Sequence, residues 1–134
     1  MTPELTYLTL TLMLAASLWI PYIVGINMHP LAEGDPFDRP APLDAFPPWV
    51  HRAHRAHLNL LETALPFAAL VLLAHSLQVS TGVTVWAAAV FFWLRVAHAI
   101  GMISGIAKFP VRPIIFTASW VCSLLIGWQV LAHG

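Results

Sequence analysis

The chain has 134 residues, 59% hydrophobic and 9% charged, with six Lys and Arg against six Asp and Glu. A soluble domain carries roughly 25% charged residues, so this set cannot cover a water-soluble globule of the same length. The zero formal charge also excludes the basic footprint of a nucleic-acid binder, and the length bounds the chain to one domain, residues 1–134.

No Asp, Glu, Lys or Arg occurs from Leu5 to Ala32. About 20 apolar residues span a bilayer, so a first helix is expected over Leu5 to Asn27, kinked at Pro21. The run follows Glu4 and has no basic n-region, so it is expected to be retained and not cleaved as a signal peptide. His29 to Pro48 is rich in Pro and Asp and reads as a polar loop. A second helix should begin at Pro48 or Trp49, with Pro in its first turn, and run to Leu77. Roughly thirty helical residues are about 45 Å long, more than a hydrocarbon core of about 30 Å. The polar opening, Trp49 to Glu62, therefore protrudes or lines a shielded polar site. Ser80, Thr81 and Gly82 make a turn. A third helix is expected over Val83 to Ile106, a short loop over Ala107 to Arg112, and a fourth helix from near Pro113 to near Ala132. The fold class is thus an all-α membrane protein, an up-down-up-down bundle of four transmembrane helices.

Charge sets the topology, because Lys and Arg gather on the cytoplasmic side. Arg39, Arg52, Arg55, Lys108 and Arg112 belong to the loops after helices one and three or to the helix ends beside them. The other turn and both termini carry no Lys or Arg, which places both termini outside. Trp49 and Trp86 lie near helix ends, as interfacial anchors do.

An ionisable residue within a membrane helix costs roughly 2.5–3.5 kcal/mol on insertion scales. Glu62, Arg95 and His98 are such residues. Arg55, Asn59 and Glu62 are spaced i, i+4 and i+7, which puts them in one stripe about 60° wide. Arg95 and His98 are i and i+3, again on one face. Arg112 opens helix four. Glu62 and Arg95 could pair across helices as a purely structural device. The whole set has more cations than one carboxylate can neutralise, and converging arginines fit an anionic ligand.

The run His51 to His57 holds three histidines and two arginines. The arginines repel a divalent cation and no thiolate lies nearby, so no metal is expected. Cys122 sits in an apolar run and reads as a packing residue. Gly101 and Gly105 form a small-xxx-small pair, a weak sign of close helix approach.

The run Arg52-Ala-His-Arg55-Ala-His57-Leu-Asn59-Leu-Leu-Glu62, followed by Pro66-Phe67, resembles helix two of the MAPEG family, the membrane-associated proteins in eicosanoid and glutathione metabolism. Arg95-Val-Ala-His98 is similar to the signature on the family's third helix, and Arg112 to an arginine before its fourth. The chain looks most like the short bacterial members. That resemblance implies a homotrimer in the bacterial inner membrane, with sites between neighbouring subunits. It implies glutathione as co-substrate near the cytoplasmic face and a lipophilic partner substrate arriving from the membrane lipids. Arg55, His57, Asn59, Glu62, Arg95 and His98 are then the binding residues, and Arg112 the catalytic one that steadies a thiolate. Glutathione carries two carboxylates and one amine, which suit arginines and Glu62 respectively.

The chain departs from the family at Met102, where many members have tyrosine, and at Pro113 and Phe116, where hydroxyl side chains are common. A basic residue of the prostaglandin synthases is Leu58 here. The binding frame is kept while the hydroxyl donors are thinned, which points away from eicosanoid isomerisation. Two readings stand side by side: a glutathione-dependent transferase or peroxidase, and a non-catalytic scaffold that binds a lipid or another small molecule.

Overall fold

A computed structural model describes residues 1–36, 42 and 44–134. Arg39, one of the basic-loop residues, lies outside them. The described residues form five α-helices: α1 (Pro3–Ser17), α2 (Ile20–Met28), α3 (Pro48–Ser76), α4 (Gly82–Ser104) and α5 (Val111–His133).

The first expected helix is two. Pro21 has no N–H to give, and its ring collides with the carbonyl four residues back. That residue is Ser17, where α1 ends. The chain passes through Leu18 and Trp19 and resumes as α2, with Pro21 in the first turn. The combined segment Pro3–Met28 remains long and apolar enough to cross a membrane, as are α3, α4 and α5. The four spans are joined antiparallel, and they leave large apolar side chains such as Leu65, Trp86, Trp93, Trp128 and Leu131 exposed, a surface that suits a membrane and not water. This is an integral, multi-pass membrane protein.

Local chemistry sets the ends. Thr2 caps α1, accepting from the Leu5 N–H at 3.4 Å. Thr81 and Thr84 form a reciprocal capping box at the start of α4, and Thr81 Oγ1 also donates to Gln129 Oε1 of α5 at 3.0 Å. At the other end of α4, Gly105 adopts φ 78°, the left-handed conformation that stops a helix. α5 starts at Val111, two residues before Pro113, so Arg112 lies inside its first turn and not ahead of it. Pro66 interrupts the hydrogen-bond ladder of α3 without ending the helix.

α4 packs against α1, α3 and α5, and α3 also meets α1, α2 and α5. Toward the termini, the core is built on the stacked rings of Phe67 and Phe91, 3.8 Å apart and 1° from parallel, with Leu8, Val71 and Ile126 around them. Toward the basic loops, Leu18, Leu60, Ala64, Ala99 and Met102 form a second core. Tyr22, Ile26, Phe46, Val50 and Ala53 form a third, beneath α2. Trp49 is half-buried, and a side chain on Gly25 of α2 would meet it at 2.8 Å, so this ring is committed to helix packing. Arg95 and His98 lie between the first two cores, on the same face of α4 as Phe91 and Met102.

Candidate functional site

Spacing on α4 puts Arg95 and His98 on the face turned inward, and each is only 1% exposed. Arg95 Nη2 donates to Asn59 Oδ1 on α3 and to His98 Nδ1, the latter at 3.2 Å. A guanidinium has no acceptor. His98 Nδ1 must therefore accept, which puts the ring hydrogen on Nε2. The other two guanidinium nitrogens, Nε and Nη1, are buried with no hydrogen-bond partner. The ion pair with Glu62 that the sequence allows is thus not made. Asn59 stands opposite Arg95, and Glu62, nearly one turn further along α3, is exposed.

Two clefts open beside this layer, both toward the basic-loop end. The smaller, about 120 Å³, is lined chiefly by Arg55, Asn59, Glu62, His98, Met102 and Arg112. The larger, about 470 Å³, shares Asn59, His98 and Arg112 and adds Lys108, Pro113 and Phe116. Three helices supply these walls: α3 the stripe from Arg55 to Glu62, α4 His98, and α5 Arg112 in its first turn. The first-turn N–H groups of Arg112 and Ile114 are already donated to the carbonyls of Lys108 and Pro110. Attraction for an anion at this helix start therefore rests on the side chains.

Of the residues expected from sequence, Arg55, Asn59, Glu62, His98 and Arg112 line one cleft together. Arg95 is behind the wall and acts on it through Asn59 and His98. His57 is half-buried and borders neither cleft. It follows Arg55 by two residues, about 200° round the helix. The neighbouring histidines are engaged elsewhere: His54 stacks on Tyr22 at 4.4 Å and His51 approaches Phe46 at 6.1 Å. Among the described residues no group of three or more His, Cys, Asp or Glu is placed to hold a metal.

Sequence reasoning counted Lys108 and Arg52 among the basic residues that set topology, and foresaw neither Lys108 in the larger cleft nor Arg52 as a helix cap. Arg52 closes the end of α4: Nε donates to the Met102 carbonyl at 3.0 Å and Nη2 to that of Ile103 at 3.3 Å. Its guanidinium lies against Gly105, where an added Cβ would meet it at 3.2 Å. The small-xxx-small pair thus serves a turn: a Cβ on Gly101 would strike that of Ala107 at 2.7 Å. A glycine three residues after a helical carbonyl was the available signal for such a cap.

Chemically, the clefts gather Arg55, Lys108 and Arg112 against the single carboxylate of Glu62, with Arg95 behind. Such a surplus suits an anion, and Glu62 suits a cationic group on the same ligand. No curated protein matches the chain. The MAPEG family model matches residues 5–132, which takes in all but the outermost residues of the four spans and every residue of the clefts. The chain belongs to the MAPEG family.

Proposed function

We propose that the protein is a glutathione-dependent transferase or peroxidase acting on a lipophilic electrophile, with glutathione held at the basic end of the bundle between neighbouring copies of a homotrimer. The observation that carries this reading is the joint cleft of Arg55, Asn59, Glu62, His98 and Arg112. At about 120 Å³ it is smaller than the roughly 300–1,000 Å³ of ordinary ligand pockets. Arg55 and Glu62 on its rim are exposed, so a neighbouring subunit has room to complete it. The donor set fits glutathione. Arg55 suits a carboxylate, Glu62 the amine, and His98 Nε2–H and the Asn59 amide its peptide groups. Buried guanidinium nitrogens left without a partner on Arg95 raise the positive potential behind the wall.

When bound, glutathione supplies a thiol. Arg112 holds negative charge on the sulfur; its guanidinium stays protonated and cannot act as a base. A nearby cation lowers a thiol pKa below about 8.5 and enriches the nucleophile. Phe116 and Pro113 give the larger cleft an apolar wall suited to a lipophilic electrophile. Charge asymmetry supports a cytoplasmic position for this end, and the resemblance to short bacterial members supports an inner-membrane location.

A specific observation favours a second reading, a non-catalytic scaffold that binds a lipid or small molecule. An apolar groove of about 600 Å³, walled by Leu70, Leu73, Leu124, Trp128 and Leu131, runs between α3 and α5. The deciding experiment is calorimetry of the purified protein with glutathione, followed by ultraviolet absorbance of the bound thiolate and turnover of a generic electrophile. Binding with a thiolate band and turnover supports the transferase. Binding without either leaves the scaffold.

A further inference from the structure

Asn59 and His98 each border both clefts, and each can present either a donor or an acceptor. The Asn59 amide has an oxygen that accepts and an NH2 that donates; a neutral imidazole has one nitrogen of each kind. Left free, the amide can turn over and the ring can carry its proton on either nitrogen. Which end of each side chain faces outward decides whether this wall donates to a ligand or accepts from it.

Arg95 removes that freedom. Its Nη2 bonds Asn59 Oδ1 and lies 3.2 Å from His98 Nδ1. A guanidinium only donates, so both neighbours must turn their acceptors toward it. The Asn59 NH2 and the His98 Nε2–H are the ends left for the clefts. Unlike Nε and Nη1 of Arg95, neither of these ends is sealed in without a partner. A cation serving structure alone would be expected to pair with a carboxylate. Glu62 is exposed, nearly one turn further along α3, and the hydrogen bonds of Arg95 go instead to two neutral groups of the cleft wall.

We propose that Arg95 is a positioning residue that fixes Asn59 and His98 as donors toward the clefts, so that the wall selects a ligand presenting carboxylate and carbonyl oxygens and disfavours one presenting N–H groups at the same place. Together with Arg55 and Arg112 the smaller cleft then donates from four side chains, and Glu62 is its one carboxylate. The tautomer of His98 follows from Arg95 alone; the effect on affinity rests on glutathione being the ligand, as proposed above.

Nitrogen NMR of histidine-labelled protein in nanodiscs reads the ring directly, with His98 identified through its backbone neighbours Ala97 and Ala99. The parent protein without ligand should show a bare Nδ1 and a protonated Nε2. Arg95→Met fills the space without the donor or the charge, and should let the proton move to Nδ1 in part of the molecules. Its affinity for glutathione, measured by calorimetry, should fall about tenfold or more, the worth of one or two hydrogen bonds. Arg95→Lys returns an N–H donor and should restore the parent ring and most of the affinity. A parent ring protonated on Nδ1 overturns the inference, a readout that stands even where Arg95→Met does not fold. So does a ring that keeps its tautomer in folded Arg95→Met, which leaves Arg95 as a distant charge only. A parent with the Nε2–H ring that binds no glutathione supports the positioning role and rejects the proposed ligand.

Discussion

Arg95 on α4 and Asn59 on α3 are joined by a side-chain hydrogen bond through the middle of the bundle, Nη2 donating to Oδ1. The charge of Arg95 is thus met by a neutral amide and a neutral imidazole, and two of its nitrogens have no partner. Asn59→Ala should remove the stronger of its two supports. Stranding a buried charge costs about 3–5 kcal/mol, so the variant should unfold at distinctly lower denaturant in an SDS titration. Asn59→Asp places a full negative charge at the same distance and should be at least as stable as the parent. An Asn59→Ala protein as stable as the parent would show that the guanidinium is satisfied from elsewhere.

Gly105 and Arg52 form a second coupled pair. A non-glycine residue at φ 78° costs about 1–3 kcal/mol of backbone strain, and here its Cβ would press on the guanidinium that caps α4. Gly105→Ala should destabilise the protein by about that amount. Arg52→Ala frees the Met102 and Ile103 carbonyls and should cost about 1–3 kcal/mol by itself. The double variant should fall short of the sum, because both changes break one cap.

The spans, their order and the polar stripe were legible in the sequence because each rests on one kind of local pattern. Runs without charge give the spans, and i, i+4, i+7 spacing gives Arg55, Asn59 and Glu62. The break at Leu18–Trp19 was only half legible. Pro21 announces a disturbance, but a kink and a full break differ in packing that the sequence does not display. Arg52 and Arg55 look alike in a row of alternating His and Arg, yet one caps α4 and the other lines a cleft. Their difference is set by where the end of α4 falls. The pairing of Arg95 with Asn59 in place of Glu62 is likewise a matter of helix stagger.

Glu62 is exposed on the surface of one chain within a span that crosses the membrane. A carboxylate facing lipid costs roughly 2.5–3.5 kcal/mol, and a neighbouring subunit covering it offsets that cost. Chemical cross-linking in mild detergent should end at the trimer. Products that stop at monomer or dimer count against the assembly proposed above. Glu62→Ala should shift the distribution toward smaller species.

Orientation has its own readout. With Arg52, Arg55, Lys108 and Arg112 at one end of the bundle, both termini should be on the outer side. Alkaline phosphatase fused after Gly134 should be active, and a fluorescent protein that matures only in the cytoplasm should be dark. The reverse pattern rejects the charge argument and moves the basic clefts to the other face of the membrane.

Arg55 and Arg112 line the same cleft from different helices, and the proposed chemistry gives them different work. Arg55 lies in the stripe with Asn59 and Glu62, where a ligand's fixed charges are recognised. That contact is the same before and during reaction, so Arg55→Ala should raise KM for glutathione about tenfold or more while kcat changes little. Arg112 stands between the two clefts, bordering both, where a sulfur nucleophile and an apolar electrophile can meet. Its interaction strengthens as charge gathers on sulfur and shifts to the leaving group. Removing one such electrostatic donor typically costs about 10²–10³ in kcat. Arg112→Ala should therefore lose turnover and the thiolate absorbance together while still binding glutathione, and Arg112→Lys should recover part of both because it restores the charge but not the planar fork. If Arg112 only anchors α5 at the interface through lipid phosphates, Arg112→Ala will change melting temperature or insertion and leave the thiolate band of the bound ligand where it was.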